Sequence, residues 1–302
     1  MARHSYLINR FKPKDCMTKS LSERLPAFLR NRLDPTLRPP LVAVVRLNGV
    51  IGASAPLRSA LNLESVAEAL EAAFALKHAA AVALLINSPG GSPVQSSLIF
   101  KRVRALAEEK KRPVYAFAED VAASGGYMLA CAADEIYADE SSIIGSIGVI
   151  SAGFGFTGLI EKLGIERRVH TSGESKSMLD PFKPENPEDI RRLEALQQDV
   201  HENFKSLVRG SRGGKLKDAP EIFTGEFWAG KGALERGLID GIGDVRSVLR
   251  AKFGEKVRLR VIGRRKGLLQ RIPGFNRQAA PDLADSLISA MEGRSLWSRF
   301  GL

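Results

Sequence analysis

Eight consecutive residues, Ala81–Ser88 (AVALLINS), restrict the fold more than any other stretch. The run carries no charge and is too short for a core helix, so it reads as a strand buried on both faces. Such a strand belongs inside a parallel sheet, and a parallel sheet needs helices to cover it. The flanking sequence provides them. Leu63–His78 repeats apolar residues at helical spacing through Val66, Leu70, Phe74 and Leu76, and Pro93–Glu109 is amphipathic. A further buried-strand pattern starts at Leu41 (LVAVVRLNGVI), and Pro113–Asp120 (PVYAFAED) and Glu135–Ala138 (EIYA) add two more. Strand and helix alternating at this spacing predict an α/β fold built of βαβ units with right-handed crossovers. Two turns, SPGG at 88–91 and the one at Ser124, fall at the carboxyl ends of strands, where open α/β folds place their sites.

The remaining chain is read with the same rules. Ser141–Ile160 is twenty residues without a charge, but its Ser and Gly content predicts strand and turn buried in a soluble core, not a membrane span. Within it SIGVIS (146–151) is expected to be extended, with a short helix at Thr157–Leu163. IERRVHTSG (165–173) is expected to be a strand feeding the polar loop that holds Lys176. Asn186–Arg209 is the longest helical pattern, with Asn186 as cap and Pro187 in its first turn. A last helix at Val245–Phe253 and a last strand in KVRLRVI (256–262) close the body.

Charge separates the tails from that body. Of the 45 Lys and Arg, 16 lie in residues 1–40 and 264–302, against 6 of the 34 Asp and Glu, which leaves the middle at 29 to 28. The division expected is a basic arm at 1–40 with a short helix near Leu21–Arg32, a body at 41–263, and a basic amphipathic tail at 264–302. The tails suit solubility alone or peripheral contact with an anionic membrane surface, and the C-terminal one also docking on a neighbouring subunit. Nucleic acid is not expected as a partner, because no helix-turn-helix, zinc-ligand or aromatic RNA-binding signature accompanies the charge. Cys16 and Cys131 make no disulfide framework, which points to a reducing compartment. No secretory signal and no transmembrane span is read in the sequence, and no metal-ligand spacing occurs.

Chemistry centres on Asp120–Met128 (DVAASGGYM), where small residues leave Ser124 open to approach. At the mouth of a helix its hydroxyl is either a nucleophile beside unpaired N–H groups or an ordinary N-cap. A nucleophilic serine needs a base. His4, His78, His170 and His201 lie outside any Gly-rich or loop context suited to a triad. Lys176 sits in a short polar loop. With a reference pKa of about 10.4 only about one lysine in a thousand is neutral near pH 7.4, so a lysine base has to be desolvated. Ser146 is a candidate for orienting it.

The ordered set LNGVI, INSPGG, AASGGYMLA, ADESSIIGSIGVI, SGESKSM and GLIDGIGD, from Leu41 to Gly254, resembles the signal peptide peptidase A family of bacterial Ser–Lys peptidases. The resemblance implies the ClpP/crotonase-like fold, a spiral of βαβ units, and no metal or cofactor. It implies Ser124 as nucleophile, Lys176 as general base, Ser146 as the residue orienting the lysine, and the N–H groups of Gly91 and Ser124 as an oxyanion hole. Gly90, Ser92 and Pro93 on one side and Ile147, Gly148 and Val149 on the other would border a groove for an extended, apolar, signal-peptide-like peptide. Short-form relatives assemble into ring-like homo-oligomers. Membrane-anchored relatives carry an N-terminal span where this chain has a basic arm, which favours a cytoplasmic protein touching the inner membrane through its tails. The alternatives are a non-catalytic membrane-associated scaffold and an acyl-CoA enzyme of the crotonase type.

Overall fold

The computed structural model describes residues 38–52, 60–263 and 293–302. The expected helix at Leu21–Arg32 and most of the basic tail lie outside these residues. Residues from Pro40 onward form one compact unit.

Five strands make the main ladder: β1 (Leu41–Asn48), β2 (Ala79–Ser88), β3 (Val114–Ala123), β4 (Glu135–Ala138) and β8 (Arg258–Ile262). They run parallel in the order β8-β1-β2-β3-β4. As the sequence demanded, β2 is buried on both faces. Ala43, Val45, Leu84, Ile86 and Ala116 point to one side, where α1 (Leu63–Ala75), α2 (Pro93–Lys110) and α3 (Gly125–Ala130) cover them. Val42, Val44, Ala83, Leu85 and Phe117 point to the other, against Leu249 of α7 (Val245–Phe253). The two longer helices on the first face start where the sequence can cap them. Asn62 and Ser65 form a reciprocal capping box on α1, and Ser92 with Pro93 opens α2.

The sheet forks at β3. Tyr115–Ala118 pair with β4, whereas Val121–Ala123 pair with β5 (Ile143–Gly145) along the same edge. Between the two sets the β2–β3 register jumps, with Ile86 opposite Ala118 but Ser88 opposite Ala122. The extra residues bend the strand. β4 continues into β7 (Gly241–Ile242), and β5 into the antiparallel β6 (Phe227–Ala229). Val121 and Ala123 are covered from the second face by Trp297 and Phe300, and Phe300 meets Phe227 edge to face at 5.1 Å. This is the α/β spiral of βαβ units that the resemblance implied, with the end of β3 carried onto a separate arm of the sheet.

Two expectations fail beyond β5. Ser142, Ile144 and Ile147 are buried, but Ile150 is 67% and Phe154 81% exposed, so the uncharged run is core only in its first part. Its Gly and Ser residues give no continuous apolar face, and Gly153, Gly155 and Gly158 stand in open space. Residues 165–173 form no strand and lie almost wholly exposed. Branched residues favour a strand only where a sheet edge can receive it, and here the outer positions are held by β6 and β8. The short helix that follows β5, α4 (Thr157–Lys162), has no buried residue.

The long helix α5 (Pro187–Arg212), capped by Asn186 as expected, returns the chain to the body. Only Phe204, Val208 and Arg212 of it are buried. Arg212 donates to the Gly237 carbonyl (2.9 Å) and to Asp240 (2.8 Å). Asp240 also accepts from the Ile136 N–H (2.8 Å) and pairs with Lys215 (2.7 Å). Next to this hub the fully buried Tyr127 of α3 donates to the Leu238 carbonyl (2.7 Å). Burial alone would push the Asp240 carboxyl up, but Arg212, Lys215 and the Ile136 N–H together hold it below its ordinary value. A carboxyl depressed on folding contributes stability above its unfolded pKa of about 3.9 and loses it as pH falls through the folded value. Asp240→Asn, which leaves Arg212 buried without its counter-charge, is expected to cost about 3–5 kcal/mol at pH 7. Urea unfolding at pH 7 and pH 3 checks this, since the gap between variant and wild type must narrow at the lower pH.

Candidate active site

Ser124 sits at the junction of β3 and α3 with φ 52° and ψ −123°, a conformation a residue with a Cβ seldom adopts. Strain of this kind costs on the order of 1–3 kcal/mol and persists only where neighbours enforce it. Three hydrogen bonds do so. The Ser124 N–H donates to the Gly145 carbonyl (2.8 Å), and its own carbonyl accepts from Tyr127 and Met128 (3.0 and 3.1 Å). The surrounding glycines are required by space. A Cβ on Gly90 would lie 2.7 Å from the Ser124 Cβ, and one on Gly126 would lie 2.4 Å from the Ser88 carbonyl oxygen. The small residues around Ser124 are therefore packing necessities of a strained turn, which a plain N-cap does not need. No side-chain capping bond is made by Ser124, so the N-cap reading of its hydroxyl fails.

The SPGG turn reaches the same place. The Ile51 N–H donates to the Gly90 carbonyl (2.8 Å) and the Ser92 N–H to the Ile51 carbonyl (2.8 Å), so β1's extension holds the turn against Ser124. Among the described residues, the Gly91 N–H and the Gly125 N–H have no hydrogen-bond partner. The Ser124 N–H, expected as an oxyanion donor, is occupied by Gly145. That assignment is corrected: the free donor at this turn is one residue on, at Gly125.

Ser146 lies next to the carbonyl that holds Ser124. It is 5% exposed, has φ 53°, and donates its N–H to the Glu226 carbonyl (2.6 Å). Residues 225–245 read in the sequence as a helix and a Gly-rich turn, but the stretch opens with the strand Phe227–Ala229, for which the aromatic pair Phe227–Trp228 beside a glycine was the available signal. Ile147 is fully buried, and its carbonyl meets His201 of α5 at 3.1 Å. The ring is thus satisfied by a backbone carbonyl of the expected groove wall, in keeping with its place outside a triad.

Lys176 is not brought to this cluster. It is exposed, in a turn closed by its own N–H to the Gly173 carbonyl (3.2 Å), and among the described residues its amine makes no hydrogen bond with Ser124 or Ser146. The desolvated lysine expected from the sequence is absent from the single chain. Cys131 offers no alternative nucleophile, because burial pushes its thiol up to about 12. The described residues contain no cluster of His, Cys, Asp or Glu able to hold a metal ion. None of their helices is long and apolar enough to cross a membrane.

A strained serine beside two unengaged N–H groups is chemically suited to acyl transfer, with the hydroxyl as attacking atom and the amides as oxyanion donors. Comparison with known proteins agrees. Residues 106–258 match the profile of Peptidase family S49. A Synechocystis protein named putative protease slr0021 is 34% identical over 213 residues, covering 68% of this chain and 76% of its own. The Na(+)/H(+) antiporter NhaA of Brucella abortus is 50% identical over 295 residues, which is 94% of this chain but 40% of that protein. The chain thus spans less than half the length of that relative. The solved structure of the 1510-N membrane-bound stomatin-specific protease overlays with a TM-score of 0.47 at 16% identity, across 75% of this chain and 99% of that one. With a family profile spanning half its length and a protease relative matched over most of its own, the chain belongs to peptidase family S49, the SppA/SohB-like serine peptidases.

Proposed function

We propose that the chain is a Ser–Lys endopeptidase that hydrolyses extended, apolar, signal-peptide-like peptides in a homo-oligomer. The observation that carries the reading is the strained, unobstructed Ser124 between the free N–H groups of Gly91 and Gly125. Neutral Lys176 takes the Ser124 proton as Oγ attacks the scissile carbonyl carbon. The two N–H groups then receive the negative oxygen, and the lysine returns the proton to the departing amine. Water, deprotonated by the same lysine, releases the acyl group and restores Ser124. Ser146, buried beside the nucleophile, orients the amine.

Self-association supplies what the single chain lacks. Ile150, Phe154, Leu159, Leu163 and Ile165, all more than half exposed, lie in the segment that carries Lys176. Covering them with a second copy removes apolar surface from water and desolvates the lysine in the same step. A groove of about 970 Å³ between α2 and α5, lined by Val94, Leu98, Phe204, Leu207 and Met128, the last one helical turn after Ser124 in the chain, offers room for apolar side chains.

Ser124→Ala and Lys176→Ala are each expected to lower turnover of a Leu- or Ala-rich fluorogenic peptide by roughly 10³-fold or more, with unchanged thermal melting. Full activity in either variant refutes the dyad. Wild-type turnover is expected to depend on the assembled oligomer. Its specific activity is expected to fall on dilution as the assembly dissociates, which turnover followed alongside analytical ultracentrifugation checks.

A further inference from the structure

The peptide unit between Ile147 and Gly148 is fixed at both ends. Its carbonyl faces His201 Nε2 at 3.1 Å, and its N–H donates to the Ser146 carbonyl at 3.0 Å. A carbonyl only accepts, so the ring donates from Nε2, as the Nε2–H tautomer or as imidazolium. His201 itself cannot drift, because Phe204, one turn further along α5, is in the core and Val208 and Arg212 follow it. Past this point, among the described residues, the backbone N–H and C=O of Val149 and Ile150 make no hydrogen bond. The His201 contact is therefore where the body last grips the chain before it turns outward.

We infer that His201 is a positioning residue: by fixing the plane of the 147–148 peptide unit it aims the free backbone groups of Val149 at an extended substrate and sets that substrate's register on Ser124. The inference rests on the peptidase reading, with 146–149 as groove wall. It gives the ring no role as a base, because the Nε2 edge is spent on the carbonyl. A strand added to an edge takes its register from main-chain hydrogen bonds, so tilting the first peptide plane of the wall weakens the pairing along it. Ser124 is held separately, through Gly145 and the first turn of α3, and keeps its geometry when His201 is replaced.

The test uses the full chain carrying His201→Ala, His201→Phe or His201→Gln. Steady-state turnover of the fluorogenic peptide, labelling of Ser124 by phenylmethanesulfonyl fluoride, and amide exchange at Gly148 are measured on each. Loss of one hydrogen bond on the substrate side is expected to raise KM about five- to tenfold in the Ala and Phe variants with kcat within about twofold. Gln, whose amide can donate, is expected to restore most of the loss, and labelling by the small sulfonyl fluoride stays at the wild-type rate. Exchange at Gly148 is expected to quicken in Ala and Phe but not in Gln. Wild-type KM in the Phe variant, which keeps the ring volume without the donor, overturns the inference, as does slowed labelling that tracks the loss of turnover. Should wild type turn over no peptide, the peptidase reading falls and exchange alone decides: equal rates at Gly148 in all four proteins overturn the tie, and donor-dependent rates uphold it.

Discussion

The hydrogen bond from the Ser124 N–H to the Gly145 carbonyl is the contact on which the site depends. It joins the end of β3 to the end of β5, holds a residue with a Cβ in a left-handed turn, and brings the Ser146 backbone next to Ser124. A single amide bond contributes about 0.5–1.5 kcal/mol net, similar to the strain it opposes, so it cannot act alone. It is seconded by the Tyr127 and Met128 N–H groups and by glycines that admit no alternative packing. The same bond takes the Ser124 amide out of reach of any other acceptor.

Helix α5 links the two layers of the site. Its last turn carries Arg212 into the hub with Asp240, next to the Tyr127 anchor of α3. Two turns earlier Phe204 enters the core, and one turn before that His201 meets Ile147. The helix therefore ties the anchor of α3, which begins just after Ser124, and the Ile147 carbonyl to one rigid body. Its N-terminal half and the preceding segment leave the body with apolar side chains uncovered, and the proposed base travels with them.

The main ladder was legible because burial on both faces writes an unmistakable pattern: β1, β2, α1, α2 and α7 follow apolar periodicity and capping residues nearly to the position. Ser124, Ser146 and the SPGG turn were found as motifs, and the reason they converge, a forked sheet, was not. A three-residue strand such as β5 or β6 has too few positions to show a period, and its partner lies some eighty residues away. Residues 148–173 misled for a related reason. Branched and uncharged residues state a preference for burial, but only a partner surface grants it, and a single chain's sequence does not say where that surface is. His201 was passed over because a histidine bonded to a carbonyl leaves no trace in spacing.

The division of β3 between two arms of the sheet grades the rigidity of the molecule. Below Glu119, five pairs to β2 and four to β4, backed by the eight-pair ladder between β1 and β2, tie the strand into the largest cooperative unit of the fold. Above it, three-residue ladders to β5 and from β5 to β6 carry far fewer backbone bonds. Opening free energies follow the number of bonds and buried contacts broken together. The upper tier can accordingly loosen and reseat around a bound chain while the lower tier stays shut, so that accommodation of a ligand and survival of the fold are governed by separate parts of one strand.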